Sequence, residues 1–586
     1  MSRVLVIIGL SMCASAALAE GEDNLDTLLT DHWEWTLENS PTFASRLGDR
    51  RYNRQWRDLG REAASTRQTE RRALLARVYA LPKTDLSDSD RLNLELLRRA
   101  LQQDADEFRF NGHLMPFSHR GGVQNLDNVA NFVPFETPSD IEDWLARMES
   151  IDTVIDQTID TADYGRRRGL MPPAVLMQRI PDQISAQLVD DGRDSPFFRA
   201  FEALPASIDE SRATELQSRA IEIIEREIVP AYRRLQTFFT ETYLPDARQS
   251  IGLSSLENGA DWYEHLAGRY TTTRMTPDEI HRLGLDEVKR IRDEMLAVID
   301  ELEFDGNFQD FLAFLRSDPQ FYFEDPEELL AAYRATSKRI DPELVTLFGK
   351  LPRMPYGVKP IPDAIAPDTT TAYYSGPAPD GSRAGIFWVN LYRPDVRPKY
   401  EIEVLTVHEA MPGHHLQIAL QQELDNLPAF RRYSGFTAFT EGWGLYSEAL
   451  GYELGLYRDP YSRFGQLTYE MWRAVRLVVD TGIHYKGWTR QQAIDFFRDN
   501  AAKTEPDIVN EIDRYIGNPG QALAYKVGQL KMSALRQDAE AALRERFDVR
   551  DFHDTMLGGG ALPLDLLEQR MSRWLATELA ATVPTR

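Results

Sequence analysis

The sequence predicts a mainly α-helical fold with a small β-sheet beside a histidine-bearing helix, and three observations carry that expectation. Apolar residues recur at helical spacing among charges through long stretches of the 586-residue chain. Helix-start signals precede several of these stretches. Only two short runs alternate as strands do, and a turn-forming segment separates them.

The chain begins "MSRVLVIIGLSMCASAALAEGED", in which Arg3 forms a positive n-region, Val4 to Leu10 an apolar h-region, and Ala17-Leu18-Ala19 a small-x-small cleavage site. This pattern predicts a signal peptide over residues 1–19 and export to the periplasm or the medium. The apolar run is well short of the roughly 20 residues that cross a bilayer, so no integral membrane segment is expected after cleavage. Cys13 is the only cysteine. Met12 before it is a poor residue for lipoprotein processing, so secretion is favoured over lipidation. The mature chain then offers no thiol for a disulfide or a metal.

In "SDSDRLNLELLRRALQQDADEF", Leu92, Leu96, Leu97 and Leu101 mark a helix with one core-facing stripe. In "RMTPDEIHRLGLDEVKRIRDEMLAVIDEL", Thr276 is the expected N-cap, Pro277 the first helical residue and Glu279 its capping-box partner. Ile280, Leu283, Val288 and Ile291 then face inward. The strands are "AYYSG", Ala372 to Gly376, and "GIFWVNLYR", Gly385 to Arg393. A seam near residue 270 divides a helical N-terminal region, 20–270, from a C-terminal region, 271–586, that holds the strands and every chemical motif. The two halves are expected to form one continuous body.

A net charge of −25, from 92 acids against 67 bases, argues against nucleic-acid or anionic-membrane partners, because no basic surplus exists to displace counterions.

The chemistry concentrates in "TVHEAMPGHHLQ", Thr406 to Gln417. It resembles the zinc-peptidase motif H-E-x-x-H, except that Pro412 stands where the second histidine belongs. On a regular helix, residues i and i+4 lie side by side, whereas i+7 sits about 10.5 Å farther along the axis. Pro412-Gly413 must kink or bulge such a helix. A two-residue bulge would bring His414 to the place of i+4, which favours His414 over His415 as the partner of His408. On a following apolar segment, "GFTAFTEGWGLYSEAL", Glu441 is a carboxylate in need of a cation or an arginine such as Arg473. Two histidines and a glutamate from a neighbouring helix form a zinc-ligand set. For Glu448, a heptad later, a salt bridge with an arginine is the favoured reading.

Taken together, "HEAMPGHHLQ", "TEGWGLYSE", "RAVRLVVDTGIHYKGWT" and "PGQALAYKVGQLK" resemble the bacterial family known as domain of unknown function 885. That family is grouped with zincin-like metallopeptidases and is distantly similar to thimet oligopeptidase and angiotensin-converting enzyme. The resemblance covers most of the mature chain and implies a zincin-like helical metallopeptidase with a deep interhelical cleft. The histidine spacing departs from that of the peptidase relatives.

Under that resemblance Zn2+ is held by His408, His414 and Glu441, with His415 the alternative ligand, and Glu409 takes a proton from the metal-bound water. Arg476, Asp480 and His484, four apart in "RAVRLVVDTGIH", share a helix face with Arg473 nearby. Either they form a salt-bridge ladder facing water, or Asp480 orients His484 toward an oxyanion while Arg476 meets a substrate carboxylate. "RYIGNPGQALAYKVGQLK" presents Arg514, read with Arg476 as a substrate-binding arginine, together with Tyr525 and Lys526. The related peptidases imply Tyr525 as a second oxyanion donor. "GIFWVNL" is read either as an edge strand that pairs with extended substrate or as a plain structural strand, with Asn390 the residue to watch.

The expected function is an exported zinc-dependent peptidase acting on short or unfolded peptides, possessing carboxypeptidase-like or dipeptidyl-carboxypeptidase-like selectivity. Hydrolysis of another amide or ester is the enzymatic rival. A non-catalytic metal- or peptide-binding envelope protein is the rival of a different class.

Overall fold

The computed structural model describes residues 24–581 apart from positions 83, 85, 364, 365, 369, 380 and 382; the 1–19 leader and Cys13 lie outside them. The described chain is mainly helical, with one three-stranded sheet. None of its helices is long and apolar enough to cross a membrane.

Local signals place the helices. In α1, Asp88–Glu107, Ser87 caps the start, and Leu96, Leu97 and Leu101 are buried while Leu92 is half-buried. In α2, Pro277–Glu301, the Thr276 side chain accepts from the Glu279 N–H and the Glu279 carboxylate accepts from the Thr276 N–H at 2.8 Å. Ile280, Val288 and Ile291 are buried and Leu283 is half-buried. One apolar core runs from Leu25 to Met571, on both sides of residue 270.

Six further helices frame the site: α3 Ile402–Glu409, α4 His414–Gln422, α5 Thr437–Leu450, α6 Pro460–His484, α7 Glu505–Gly517 and α8 Ala524–Leu543. Helix α6 is the central post, buried at every position from Phe464 to His484 except Glu470. A Cβ on Gly284 of α2 would stand 2.7 Å from Leu477 of α6, so that glycine sets how closely the two helices pack. Burial of this stretch of α6 removes the water-facing ladder, because the polar side chains of Arg476, Asp480 and His484 must find partners inside the protein.

The sheet has the order β1-β3-β2, with β1 Tyr356–Pro360, β2 Ala372–Ser375 and β3 Gly385–Val389. The expected antiparallel pair is β2 and β3, while β1, which the sequence reading missed, lies parallel to β3 on its other side. Both edges of β3 are therefore occupied. This corrects the edge-strand reading of "GIFWVNL": a strand paired on both sides has no free ladder to offer a substrate.

Candidate metal centre

The histidines meet through a break in the helix, which corrects the expected bulge. Helix α3 ends at Glu409 and α4 starts at His414. Between them the chain folds back on itself: the Gly413 N–H donates to Val407 O at 2.9 Å, and a Cβ on Gly413 would lie 2.0 Å from His408 O. Only glycine fits that approach. The Trp443 indole N–H donates to Pro412 O at 2.9 Å and ties the break to α5. The His408 and His414 rings consequently stand edge to face, 4.7 Å apart at 83°.

His415 turns the other way. Its Nε2–H donates to Met354 O at 3.0 Å, and its Nδ1 accepts from the Tyr374 hydroxyl at 2.8 Å. Burial lowers this imidazole to about 4, so the ring is a neutral tie between α4 and the sheet. With both nitrogens engaged, it is not available as the alternative ligand.

Helix α5 supplies the acids. Glu441, Gly444 and Glu448 lie three to four residues apart on one face, and His408 packs on the gap at Gly444, where a Cβ would come within 2.8 Å of the ring. His408 Nδ1–H donates to Glu448 at 2.8 Å, which directs Nε2 toward Glu441, 3.8 Å away. Arg473 holds Glu448 from behind at 3.2 Å, the arginine partner expected for that acid. Burial alone would lower the His408 imidazole, but the neighbouring Glu441 and Glu448 carboxylates push it up to about 9. Burial would likewise raise the Glu441 carboxyl, yet the His414 and His408 imidazoles hold it well below its ordinary value. The cluster attracts positive charge.

One ligand atom from each of His408, His414 and Glu441 lies within 4.8 Å of the others. His414 Nε2 and Glu441 Oε2 are 3.3 Å apart, and that buried carboxylate oxygen makes no hydrogen bond among the described residues. Adjacent ligands of a tetrahedral zinc, with bonds of about 2.0–2.1 Å, stand roughly 3.3 Å apart. The donors present fit a zinc ion, and the 20 % exposure of the Glu441 side chain leaves a side open to solvent. Ordering of His408 by a buried carboxylate is the support that metal-binding histidines receive elsewhere.

Glu409 follows His408 directly in the chain, and Tyr525 lies within electrostatic reach of Glu441. Glu409, the last residue of α3, is half-buried and makes no hydrogen bond or ion pair among the described residues. Gly528 of α8 packs on Gly442 of α5 so closely that a Cβ on Gly442 would lie 2.6 Å from the Gly528 Cα. That contact carries Tyr525, one turn before Gly528, to Glu441. Burial, then the Glu441 charge, raises the Tyr525 hydroxyl above its ordinary value, so it stays a donor.

The other expected site residues have structural partners. His484 is fully buried; its Nδ1 accepts from the Leu253 N–H at 3.1 Å and its Nε2–H donates to Tyr515 O at 2.9 Å. Burial lowers it to about 4, and with both nitrogens bound to backbone it has no donor left for an oxyanion. Asp480 does not orient it: Asp480 accepts from the Tyr263 hydroxyl at 2.5 Å and the Gly520 N–H at 3.0 Å. Asn390 is buried and donates to Ala366 O at 2.8 Å, bracing the loop beside β3 rather than meeting substrate. Arg476 pairs with Glu511 at 3.2 Å and donates to the Tyr515 hydroxyl at 2.8 Å, while Arg514 pairs with Glu511 at 2.9 Å and donates to Gln521 at 2.7 Å. Lys526 points away from Tyr525 and binds Glu470 and Glu287, at 2.7 and 2.9 Å.

Asp480 sets a pH dependence of stability. Burial raises its carboxyl to about 7, against the opposing hydrogen bonds from Tyr263 and Gly520. The native protein thus keeps a proton that the unfolded chain releases near pH 4, so this residue costs more stability as pH rises from about 4 to about 7 and no more beyond. Asp480→Asn is expected to raise stability at pH 8 by on the order of 1–3 kcal/mol, with the gain fading toward pH 4. Thermal denaturation at pH 5 and pH 8 checks this, and a less stable variant at pH 8 would contradict it.

A His–His–Glu cluster held on three helices of a mainly helical body defines a protein with a candidate metal centre. The chain belongs to the family described as bacterial protein of unknown function (DUF885), which matches residues 41–571. The crystal structure of a candidate lipoprotein from Colwellia psychrerythraea is similar at a TM-score of 0.90 and 30% identity, covering 94% of this chain and 99% of that one. A candidate lipoprotein of unknown function from Shewanella oneidensis shares the fold at a TM-score of 0.72 and 17% identity, covering 94% of this chain and all of its own. No curated protein matches the chain at a significant level.

Proposed function

We propose that this protein is an exported, zinc-dependent peptidase of zincin type that hydrolyses short or unfolded peptides. The observation that carries the reading is the convergence of His408 Nε2, His414 Nε2 and an unpartnered Glu441 oxygen, with a free carboxylate, Glu409, directly after the first histidine. Zinc bound by these three residues would supply Lewis acidity to a carbonyl oxygen and to water.

The chain's own residues supply the rest. Glu409 accepts the proton of the attacking water and passes it to the departing amine. Tyr525, whose hydroxyl stays protonated, donates a hydrogen bond to the carbonyl oxygen as charge develops on it. Glu448 keeps the His408 ring turned toward the cluster, and Arg473 holds the Glu448 carboxylate in place. Export rests on the leader pattern at residues 1–19 and on the description of both solved relatives as candidate lipoproteins, which points to the cell envelope.

Protein purified without chelator is expected to carry about one zinc per chain and to cleave members of a short-peptide library, and chelation is expected to abolish both. Elemental analysis with mass-spectrometric detection of products measures this. Metal-free protein as isolated, or cleavage that survives complete chelation, would overturn the reading.

A further inference from the structure

On the side of Tyr525 away from the zinc-ligand cluster lies a concentration of positive charge that the proposed chemistry does not use. The Arg476 guanidinium stacks on the Tyr525 ring at 4.2 Å. Its Nε and Nη2 are engaged by Tyr515 and Glu511, but Nη1 is buried without a hydrogen-bond partner among the described residues, in a side chain only 4% exposed. Arg514 binds the same Glu511. A third guanidinium comes from the other half of the chain. Arg120 acts electrostatically on Glu511, Arg514, Tyr525 and Tyr515. It is nevertheless exposed, and its guanidinium makes no hydrogen bond or ion pair among the described residues.

The Arg120 loop is held firmly: His119 packs against Gly517 at the end of α7, Gln183 donates to His119 O at 2.8 Å, and Gln124 donates to Ser118 O. Two guanidiniums therefore share the Glu511 carboxylate, one of them with an orphaned donor among the described residues, and the exposed Arg120 lies within electrostatic reach of both and of Tyr525. An unpartnered buried N–H of a charged group costs stability unless a ligand completes it. Guanidinium geometry suits a carboxylate above other anions of a peptide.

We propose that Arg120, backed by Arg476, forms a subsite for the free C-terminal carboxylate of a bound peptide. The subsite rests on the peptidase reading for the identity of its ligand and would give the enzyme selectivity for cleavage close to the C-terminus. Expected carboxylate recognition thus moves from Arg476 and Arg514 alone to an arginine from the N-terminal half, whose partner groups lie nearly 400 residues farther along the chain.

The test is a binding measurement on the full-length protein with chelator present, so that no turnover occurs. Two acetylated tripeptides, identical except for a C-terminal carboxylate or carboxamide, are titrated by calorimetry. The native protein is expected to bind the acid roughly tenfold or more tightly than the amide, the size of a charge-assisted hydrogen bond. Arg120→Ala and Arg120→Gln are expected to erase that preference with unchanged thermal stability, and Arg120→Lys to restore part of it. Equal affinity for both forms in the native protein, binding of neither, or a preference that survives Arg120→Ala overturns the subsite. A preference for the acid without hydrolysis of any peptide by the zinc-loaded protein sinks the peptidase reading and leaves the subsite standing.

Discussion

Glu409→Gln is expected to retain zinc at the native level while lowering kcat by on the order of 10² or more, the usual contribution of a general base. Glutamine keeps the shape of the side chain and removes the oxygen that accepts a proton. Glu409 makes no hydrogen bond or ion pair among the described residues, so the melting temperature should not move. Metal analysis and steady-state kinetics on one good substrate check both halves. Unchanged kcat would remove Glu409 from the mechanism, whereas loss of metal together with activity would make it a structural support of the site. Retention of peptide binding by the variant separates a catalytic loss from a binding one.

The paired variants His414→Ala and His415→Ala are expected to fail in opposite ways. His414→Ala deletes one of three converging donors and should strip the metal while leaving the fold intact. His415→Ala should keep the metal but lose stability, because it removes a buried ring and leaves the Tyr374 hydroxyl and Met354 O without their partner. A buried polar group left unsatisfied costs about 1–3 kcal/mol, and the cavity adds to it. Zinc content and thermal melts on both proteins give the comparison. Metal loss confined to His415→Ala would reverse the assignment of the two histidines and require a different backbone path through Pro412 and Gly413.

Burial decides which roles survive from the sequence reading. The four-residue spacing of Arg476, Asp480 and His484 correctly puts them on one stretch of helix, but spacing says nothing about what that helix meets. Helix α6 is buried from Phe464 to His484 apart from Glu470, so each of these residues takes partners inside the protein: Glu511 and Tyr515, Tyr263 and Gly520, Leu253 and the Tyr515 carbonyl. Glu448 was legible as the partner of an arginine; its second bond, to His408, required knowing that Gly444 leaves room for the ring between two acids. Strand β1 escaped notice because "YGVKP" is short, half-buried and contains a proline at its end. For Arg120 the sequence carries no signal at all.

The amino-acid sequence by itself determined the helical class, the capped starts of helices such as α1 and α2, the β2–β3 pair, family membership and the residue types from which a metal centre can be built. These depend on side chains interacting with backbone a few residues away, or on motifs that stand intact in the chain. The tertiary structure alone decided that the helix breaks rather than bulges at Pro412-Gly413 and that His484 and Asn390 serve the fold, and it sets His414, which the sequence already favoured over His415, against His408 and Glu441. The reason is the buried donor and acceptor: a polar side chain inside a packed body takes whichever partner the neighbouring element presents, and that element can come from anywhere in the chain.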